Sequence, residues 1–229
     1  MIREASGNLR AMRVSFSGID GAGKSTQIEA VCARLREAGL SVRILAFWDD
    51  VATLKGLREF FSRVLFHGEP GVGTPSRPVN RRDKNVRSWP MTALRFFLYF
   101  IDALSLRLTT ARASRARADV VIFDRYLYDE LANLSLDSRL ARTYTRVLLQ
   151  MTPHPDLAYL LDVDPVLARA RKPEYPLDFL RSNRASYLAL TEIVDGITVV
   201  ASDSQPEAER IIAETTLHWL CSRPRTSAA

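Results

Sequence analysis

The sequence predicts an α/β fold in which a parallel sheet of five strands is covered by helices on both faces. Two observations lead to this prediction. Five short apolar segments alternate with longer helical patterns along the 229 residues, an order typical of parallel sheets. A glycine-rich segment, 18–26, follows the first apolar segment directly and opens a helical pattern. At this length we expect one domain with a full core.

The predicted elements alternate regularly along the chain. Strands are predicted at residues 12–17, 41–47, 119–123, 156–162 and 197–201. Helices are predicted at residues 24–38, 51–66, 91–117, 165–171, 177–194 and 205–221, with a further helical pair that ends at 151 and is separated near 135–137. Gly39 ends the first helix, because glycine readily adopts the conformation that closes a helix. Residues 11–222 thus form a single domain, and 1–10 and 223–229 are expected to be flexible tails.

Residues 67–90 are predicted to form a long loop rich in glycine and proline. Its basic side chains are Arg77, Arg81, Arg82, Lys84 and Arg87. Long loops in compact domains are commonly functional or disordered. The segment is therefore interpreted either as a mobile basic flap near an anion site or as a solvated, disordered loop.

The composition favours anionic ligands and a reducing compartment. The net charge is +6, from 32 basic and 26 acidic residues. Nucleic acid binding is not expected, because no known nucleic-acid module is visible. Cys32 and Cys221 form neither a metal-ligand spacing nor a disulfide framework. The first ten residues lack an apolar signal core, and Asp102 and Arg107 interrupt the most apolar run, 96–108. A cytoplasmic protein without a membrane span is expected.

The glycine-rich segment has the spacing of a P-loop. Glycines allow backbone N–H groups to turn towards an anion, and the helix that follows adds its positive N-terminal end. Lys24 is expected to reach the β- and γ-phosphates, and the Ser25 hydroxyl to bind Mg²⁺. The predicted ATP-binding residues of this segment are Gly18, Asp20, Gly21, Ala22, Gly23, Lys24, Ser25 and Thr26. The sequence therefore predicts binding of a nucleoside triphosphate.

Asp124, Arg125 and Tyr126 follow the third predicted strand. In parallel sheets, ligands collect at the carboxyl ends of the strands, and an Asp there is also placed to approach a metal ion bound with the triphosphate. Asp124 is therefore a candidate metal ligand. The alternative is a capped turn between strand and helix.

A polar stripe lies on the longest predicted helix. Arg95, Tyr99 and Asp102 fall at positions i, i+4 and i+7 on an otherwise apolar segment. Such a stripe either faces water or lines a substrate pocket, and the pattern alone leaves both alternatives open.

Several segments, taken in their order along the chain, form a more specific combination. They are 16–26, Asp124-Arg125-Tyr126, Pro155-Asp156-Leu157, Leu161-Asp162-Val163-Asp164-Pro165, Asp178-Phe179-Leu180, Ala185-Ser186-Tyr187-Leu188 and Asp203-Ser204-Gln205-Pro206. In this combination the chain resembles the thymidylate kinase family of P-loop nucleoside monophosphate kinases over nearly its whole length. The resemblance implies a P-loop NTPase fold with a short lid, here 169–182.

The resemblance also implies an enzyme that transfers the γ-phosphoryl group of ATP to dTMP or a related nucleoside monophosphate, with Mg²⁺, in dTTP biosynthesis. Lys24 and Mg²⁺ would hold the donor phosphates, Arg125 would bridge donor and acceptor phosphates, and Asp124 would organise the metal. Asp20 would face the acceptor sugar, and Ser204 and Gln205 would lie at the adenine. Gly21 stands where some members carry a further arginine, so the lid residues Arg169 and Arg171 are the implied substitutes. The remaining implied acceptor contacts are Arg95, Tyr99, Phe100 and Tyr126.

The acceptor half diverges from the family. Ser17 replaces the usual Glu, and Leu104 stands where an arginine is expected to grip the acceptor phosphate. Trp48-Asp49-Asp50 replaces an Arg-Glu-Pro-Gly-Gly segment, and the lid is several residues shorter. The alternatives are a kinase for another acceptor, such as a nucleoside or small metabolite, and a nucleotide-binding regulatory protein. The resemblance further implies a homodimer packed through helices, and residues 96–108 are interpreted as either its face or core.

Overall fold

A computed structural model describes residues 10–53, 89–115, 118–134 and 136–222. Most of the predicted 67–90 loop, both tails and the part of the predicted 51–66 helix after Thr53 lie outside these ranges. None of the helices in the described part of the chain is long and apolar enough to cross a membrane.

Five strands form one parallel sheet, which confirms the predicted α/β fold. The strands are β1 (Met12–Ser17), β2 (Val42–Ala46), β3 (Val120–Asp124), β4 (Leu157–Asp162) and β5 (Ile197–Ala201). Their order across the sheet is β2-β3-β1-β4-β5. The first strand is therefore central, with Phe16 paired to Asp124 on one side and to Tyr159 on the other. This order places the segments after β1, β3 and β4 next to one another at the carboxyl edge.

Seven helices in the described ranges connect or flank these strands. They are α1 (Lys24–Glu37), α2 (Trp89–Arg115), α3 (Leu127–Leu131), α4 (Arg139–Met151), α5 (Pro165–Arg171), α6 (Leu177–Thr191) and α7 (Gln205–Ser222). Gly39 follows α1 with a φ of 80°, and its N–H donates to the Arg36 carbonyl, as expected for a helix-ending glycine. The predicted start of a helix at Val51 is wrong. Residues Phe47–Val51 instead form one π-helical turn, where the Asp50 carboxylate accepts a hydrogen bond from the N–H of Ala46 (2.7 Å).

The core lies on both faces of the sheet. On β3, Val121 and Phe123 pack on the face that contains α2, α3 and α4, whereas Val120 and Ile122 pack on the face that contains α1 and α7. Because both faces are covered, β3 is buried along nearly its whole length. The sheet is thereby fixed as a rigid base for the loops at its carboxyl edge.

The polar stripe of α2 faces the protein interior. Tyr99 is buried and Asp102 is fully buried, and Asp102 accepts hydrogen bonds from the N–H (2.9 Å) and hydroxyl (3.2 Å) of Thr53. Arg95 is half-buried at the start of this stripe. Of the two alternatives for the stripe, a solvent-facing one is therefore wrong. The opposite side of α2 is apolar and exposed, and it carries Phe97, Phe100, Leu104 and Leu108.

Candidate active site

The P-loop begins at the carboxyl end of the central strand β1. Gly23 caps α1 with a φ of 88°, so that α1 starts at Lys24 and directs its N-terminal end towards the loop. Ala22 is buried, whereas Ser25 and Thr26 are exposed on the first turn. The segment thus has the strand–loop–helix geometry that phosphate binding requires.

Lys24 is buried within this loop. Its Nζ donates hydrogen bonds to the carbonyls of Gly18 (2.7 Å) and Ile19 (3.0 Å). Burial and, to a smaller extent, the Arg125 charge lower the pKa of Lys24 to about 8, against the opposing effect of Asp20. The ammonium is therefore held inside the loop by two uncharged carbonyl groups, and phosphates could replace them.

Asp124 and Arg125 lie beside the P-loop because β1 and β3 are adjacent. Phe16 pairs with Asp124, and the N–H of Arg125 donates to the Phe16 carbonyl (3.0 Å). Arg125 has a φ of 69°, a left-handed conformation that is unfavourable for a residue with a side chain. This backbone turn brings the guanidinium back towards the loop, where its Nη2 contacts Oδ1 of Asp20 at 2.5 Å.

Asp20 and Arg125 keep each other ionised beside the P-loop. Burial alone would raise the pKa of Asp20, but the charges of Arg125 and Lys24 outweigh it and lower the pKa to about 2. Burial would likewise lower the pKa of Arg125, but Asp129 and Asp20 raise it above its usual value. Asp20 is therefore a carboxylate and Arg125 a cation throughout the physiological range.

Asp129, on α3, is a site residue that the sequence patterns did not indicate. Its Oδ2 accepts hydrogen bonds from the Ser17 hydroxyl (2.6 Å) and the N–H of Tyr126 (3.0 Å). Its Oδ1 accepts one from the Tyr187 hydroxyl (2.7 Å) and lies 3.5 Å from Nη1 of Arg125. Burial and the nearby Asp129 charge raise the pKa of Tyr187 well above its usual value, so its hydroxyl stays a donor. The one local signal was an acid at the third position of a helix, which commonly caps the N-terminus.

The helix that leads into the lid, α5, contacts the P-loop. A Cβ placed on Gly21 would lie 2.2 Å from the carbonyl oxygen of Ala168. The glycine at position 21 therefore allows the backbone of α5 to rest directly on the loop.

Of the two lid arginines, Arg171 contacts another part of the chain than the Asp20–Arg125 pair. Arg171 donates to the carbonyls of Ser202 (3.0 Å) and Asp203 (2.6 Å), in the loop before α7. Arg169 is exposed, and no residue in the described ranges accepts a hydrogen bond from it. The lid cation whose charge acts on Asp20 is Lys172, which also pairs with Glu174 at 3.3 Å. The guanidinium of Arg171 is therefore occupied by carbonyls of the loop before α7.

The implied adenine loop lies against the start of α1. Ser204 and Gln205 are exposed, and the Gln205 carbonyl accepts a hydrogen bond from Nε2 of Gln27 (3.1 Å). Arg171 holds the same loop from the other side. The loop is therefore fixed next to the P-loop helix.

The implied acceptor residues are only partly brought together. Tyr126 is core: its ring packs on Phe123 (5.2 Å between centroids) and its hydroxyl donates to the Pro153 carbonyl. Phe100 lies on the exposed face of α2 together with Phe97 and Leu104, with 38% of its surface accessible. Of the implied acceptor residues, the structure therefore joins Asp20 and Arg125, while it directs Tyr126 and Phe100 elsewhere.

The residues implied for magnesium fit that ion. The exposed hydroxyl of Ser25 and the half-buried carboxylate of Asp124 are oxygen donors, which Mg²⁺ prefers, and Mg²⁺ commonly binds through one or two carboxylates together with substrate phosphates. Asp124 is also close enough to Lys24 to raise its pKa. Both donors therefore belong to the edge of the sheet where the phosphates are expected.

Comparisons with known proteins extend this picture. The family model described as "Methylmalonyl Co-A mutase-associated GTPase MeaB" matches residues 1–56, the part of the chain that contains the P-loop. A probable thymidylate kinase from Archaeoglobus fulgidus is 30% identical over 210 residues, covering 86% of this chain and 90% of the relative. The thymidylate kinase of Bifidobacterium longum (strain NCC 2705) is 30% identical over 166 residues, covering 71% of this chain and 72% of the relative. A probable thymidylate kinase from Pyrobaculum aerophilum is 26% identical over 208 residues, covering 85% and 90%. With a P-loop, an adjoining Asp124-Arg125 turn and relatives that match across nearly the whole chain, the protein belongs to the thymidylate kinase family.

Proposed function

We propose that this protein transfers the γ-phosphoryl group of ATP to dTMP or a related nucleoside monophosphate. The observation that carries the proposal is the contact between Arg125 and Asp20 at the mouth of the P-loop. In this proposal, Arg125 is the permanent cation beside the donor phosphates, and Asp20 is the carboxylate that would bind an acceptor hydroxyl. Membership of the thymidylate kinase family supports the choice of acceptor.

Phosphoryl transfer depends on alignment and charge stabilisation more than on covalent help from the protein. Lys24 would exchange its two backbone carbonyl partners for the donor phosphates. Arg125 would contact both donor and acceptor phosphates and so hold them in line. Mg²⁺ bound with ATP would neutralise phosphate charge, with Ser25 and Asp124 as the residues that hold it.

The acceptor side supports a second candidate. Leu104, at the position where the family carries a phosphate-gripping arginine, lies 38% exposed on the outer face of α2. Leucine cannot bind a phosphate, so an acceptor phosphate would depend on other cations, of which Arg125 is the one in contact with Asp20. A kinase for a nucleoside or other small metabolite is the alternative that this arrangement favours.

We also propose that the protein is a homodimer and acts in the cytoplasm. The exposed stripe Phe97, Phe100, Leu104 and Leu108 runs along one side of α2, which suits a second copy of the same helix. Both cysteines are free thiols, as expected in a reducing compartment.

A coupled ADP-release assay with a panel of nucleosides and nucleoside monophosphates tests the function. ADP release stimulated by dTMP is expected. Stimulation by a nucleoside alone would instead support the second candidate, and no stimulation by any acceptor would contradict both kinase proposals.

Lys24→Ala tests the assignment of the donor site. We expect it to abolish ATP turnover while the far-ultraviolet circular dichroism stays unchanged, because the fold is carried by the sheet. Arg34→Ala, which removes an exposed ion pair with Glu209 at 2.7 Å, is the control and should retain activity. Turnover retained by Lys24→Ala would refute the assigned site.

A further inference from the structure

Asp129 is a buried carboxylate where three parts of the site meet. Its side chain is 2% exposed. It receives hydrogen bonds from Ser17 at the end of β1 and from Tyr187 on α6, the helix after the lid. It also caps the first turn of α3 through the N–H of Tyr126. Both carboxylate oxygens are thereby held by residues from separate elements, so the group cannot turn without breaking several contacts.

Arg125 depends on such a fixed partner. Its φ of 69° lies outside the region that residues with side chains prefer, and such conformations persist where the surroundings determine them. Its guanidinium is tethered at both ends, with Nη2 on Asp20 and Nη1 on Asp129.

The two tethers differ in rigidity. Asp20 lies in a glycine-rich loop with 18% of its side chain exposed, whereas Asp129 is nearly inaccessible and hydrogen-bonded on both oxygens. The contact of Nη2 with Asp20 is the shorter one, 2.5 Å against 3.5 Å for Nη1 and Asp129, but an incoming phosphate could reach only the partly exposed Asp20 and displace it. Arg125 can therefore change its ligand at one end while it stays anchored at the other.

We propose that Asp129 is a positioning residue, which fixes the plane of the Arg125 guanidinium for phosphoryl transfer and couples it to the helix after the lid through Tyr187. Asp129 also supplies a carboxylate next to Ser17, and Ser17 itself stands at the position where the family usually carries Glu. The inference rests on the proposed function, because Arg125 acts on phosphates only if the protein is a kinase.

A double-mutant cycle tests the proposal. Asp129→Asn, made in the wild type, should lower kcat on the order of 10- to 100-fold, because the reacting groups are misaligned. The Kd for a fluorescent ATP analogue should change by less than about twofold, since the P-loop is untouched. In an Arg125→Lys background, the same substitution should change kcat by less than about threefold, because the residue through which it acts is already altered. An equal loss of kcat in both backgrounds would overturn the proposal.

Two further variants separate positioning from folding. Asp156→Asn removes another carboxylate, a half-buried one that contacts Arg10 and the N–H of Arg13 at the opposite end of the sheet, and it should leave kcat unchanged. If Asp129→Asn does not fold, Tyr187→Phe replaces it in the cycle, because it removes one donor to Oδ1 and keeps the ring. A loss of kcat in Asp156→Asn as large as in the Asp129 or Tyr187 variant would contradict a specific role.

Nitrogen-15 NMR of the arginine side chains tests the same inference without catalysis. Arg125 is assigned by the signal that disappears in Arg125→Lys. Separate Nη1 and Nη2 signals are expected in the wild type, because both ends are held, and they should merge in Asp129→Asn. If no acceptor is phosphorylated, the proposed function fails, and the NMR measurement alone tests whether Asp129 positions Arg125. Nη1 and Nη2 signals that stay separate in Asp129→Asn would overturn the positioning role.

Discussion

Replacing Gly21 with alanine should separate α5, the helix that leads into the lid, from the P-loop. The new Cβ would lie 2.2 Å from the Ala168 carbonyl oxygen, whereas real Cβ contacts are essentially never closer than 3.0 Å, so loop and α5 must part by about 0.8 Å. The neighbour is backbone and cannot rotate away. A displacement on the order of 1 Å in a catalytic geometry can lower the rate on the order of 100-fold.

Gly39→Ala is the matched control for this change. Gly21 and Gly39 have φ values of 86° and 80°, so alanine meets the same backbone penalty, about 1–2 kcal/mol, at both positions. No atom lies within 4 Å of the Cβ that would be added at Gly39. The control therefore carries the conformational cost without the displacement of the lid.

Unfolding by urea and the ADP-release assay measure the two effects separately. The free energy of unfolding should fall by about 1–2 kcal/mol in Gly39→Ala and by at least as much in Gly21→Ala. Only Gly21→Ala should lower kcat, on the order of 100-fold. If kcat of Gly21→Ala stays within about threefold of the control, catalysis does not need the close approach of α5 to the P-loop, and the prediction is refuted.

Two further predictions concern charge and assembly. ATP should bind less tightly as the pH rises through about 8, the pKa to which burial and the Arg125 charge lower Lys24, because the neutral amine must take up a proton to pair with phosphate. Calorimetry in buffers of different ionisation enthalpy should show that ATP binding takes up a proton above that pH. In Asp20→Asn this proton uptake should begin at a lower pH, because Asp20 raises the pKa of Lys24. Binding that takes up no proton would contradict the prediction. Leu104→Glu should convert the proposed dimer to a monomer in light scattering, because it puts a charge on the exposed face of α2. Val199→Glu, on the edge strand β5, should leave the dimer intact. A wild-type protein that is a monomer would contradict the proposed dimer.

Features encoded within a short stretch were predictable from the sequence. The glycine spacing of the P-loop, the position of Lys24 and the alternation of strands and helices depend on neighbouring residues. The placement of Arg125 next to the P-loop followed from one rule, that the carboxyl ends of parallel strands meet at one edge. The structure extends this by showing that the chain must turn through a left-handed residue to point the side chain inward.

Features that depend on distant partners were not predictable. The role of Asp129 rests on Ser17, 112 positions earlier, and Tyr187, 58 positions later, and no local pattern links them. Arg171 was expected in the phosphate site, but carbonyls of the loop before α7 capture it. Tyr126 follows Arg125 directly, yet extended backbone at that point sends its ring into the core.

The central position of β1 has a consequence for how the protein is made. Its neighbours pair through Met12 with Val120 and Val14 with Leu157, which lie 108 and 143 positions further along the chain. Contacts of such long range are slow to form, because the intervening chain must be ordered first. During synthesis, the first strand to leave the ribosome waits for both neighbours until well over half of the chain has been translated. The phosphate-binding segment is thus synthesised before both strands that flank its base, so nascent fragments that end before β4 should not be stabilised by ATP.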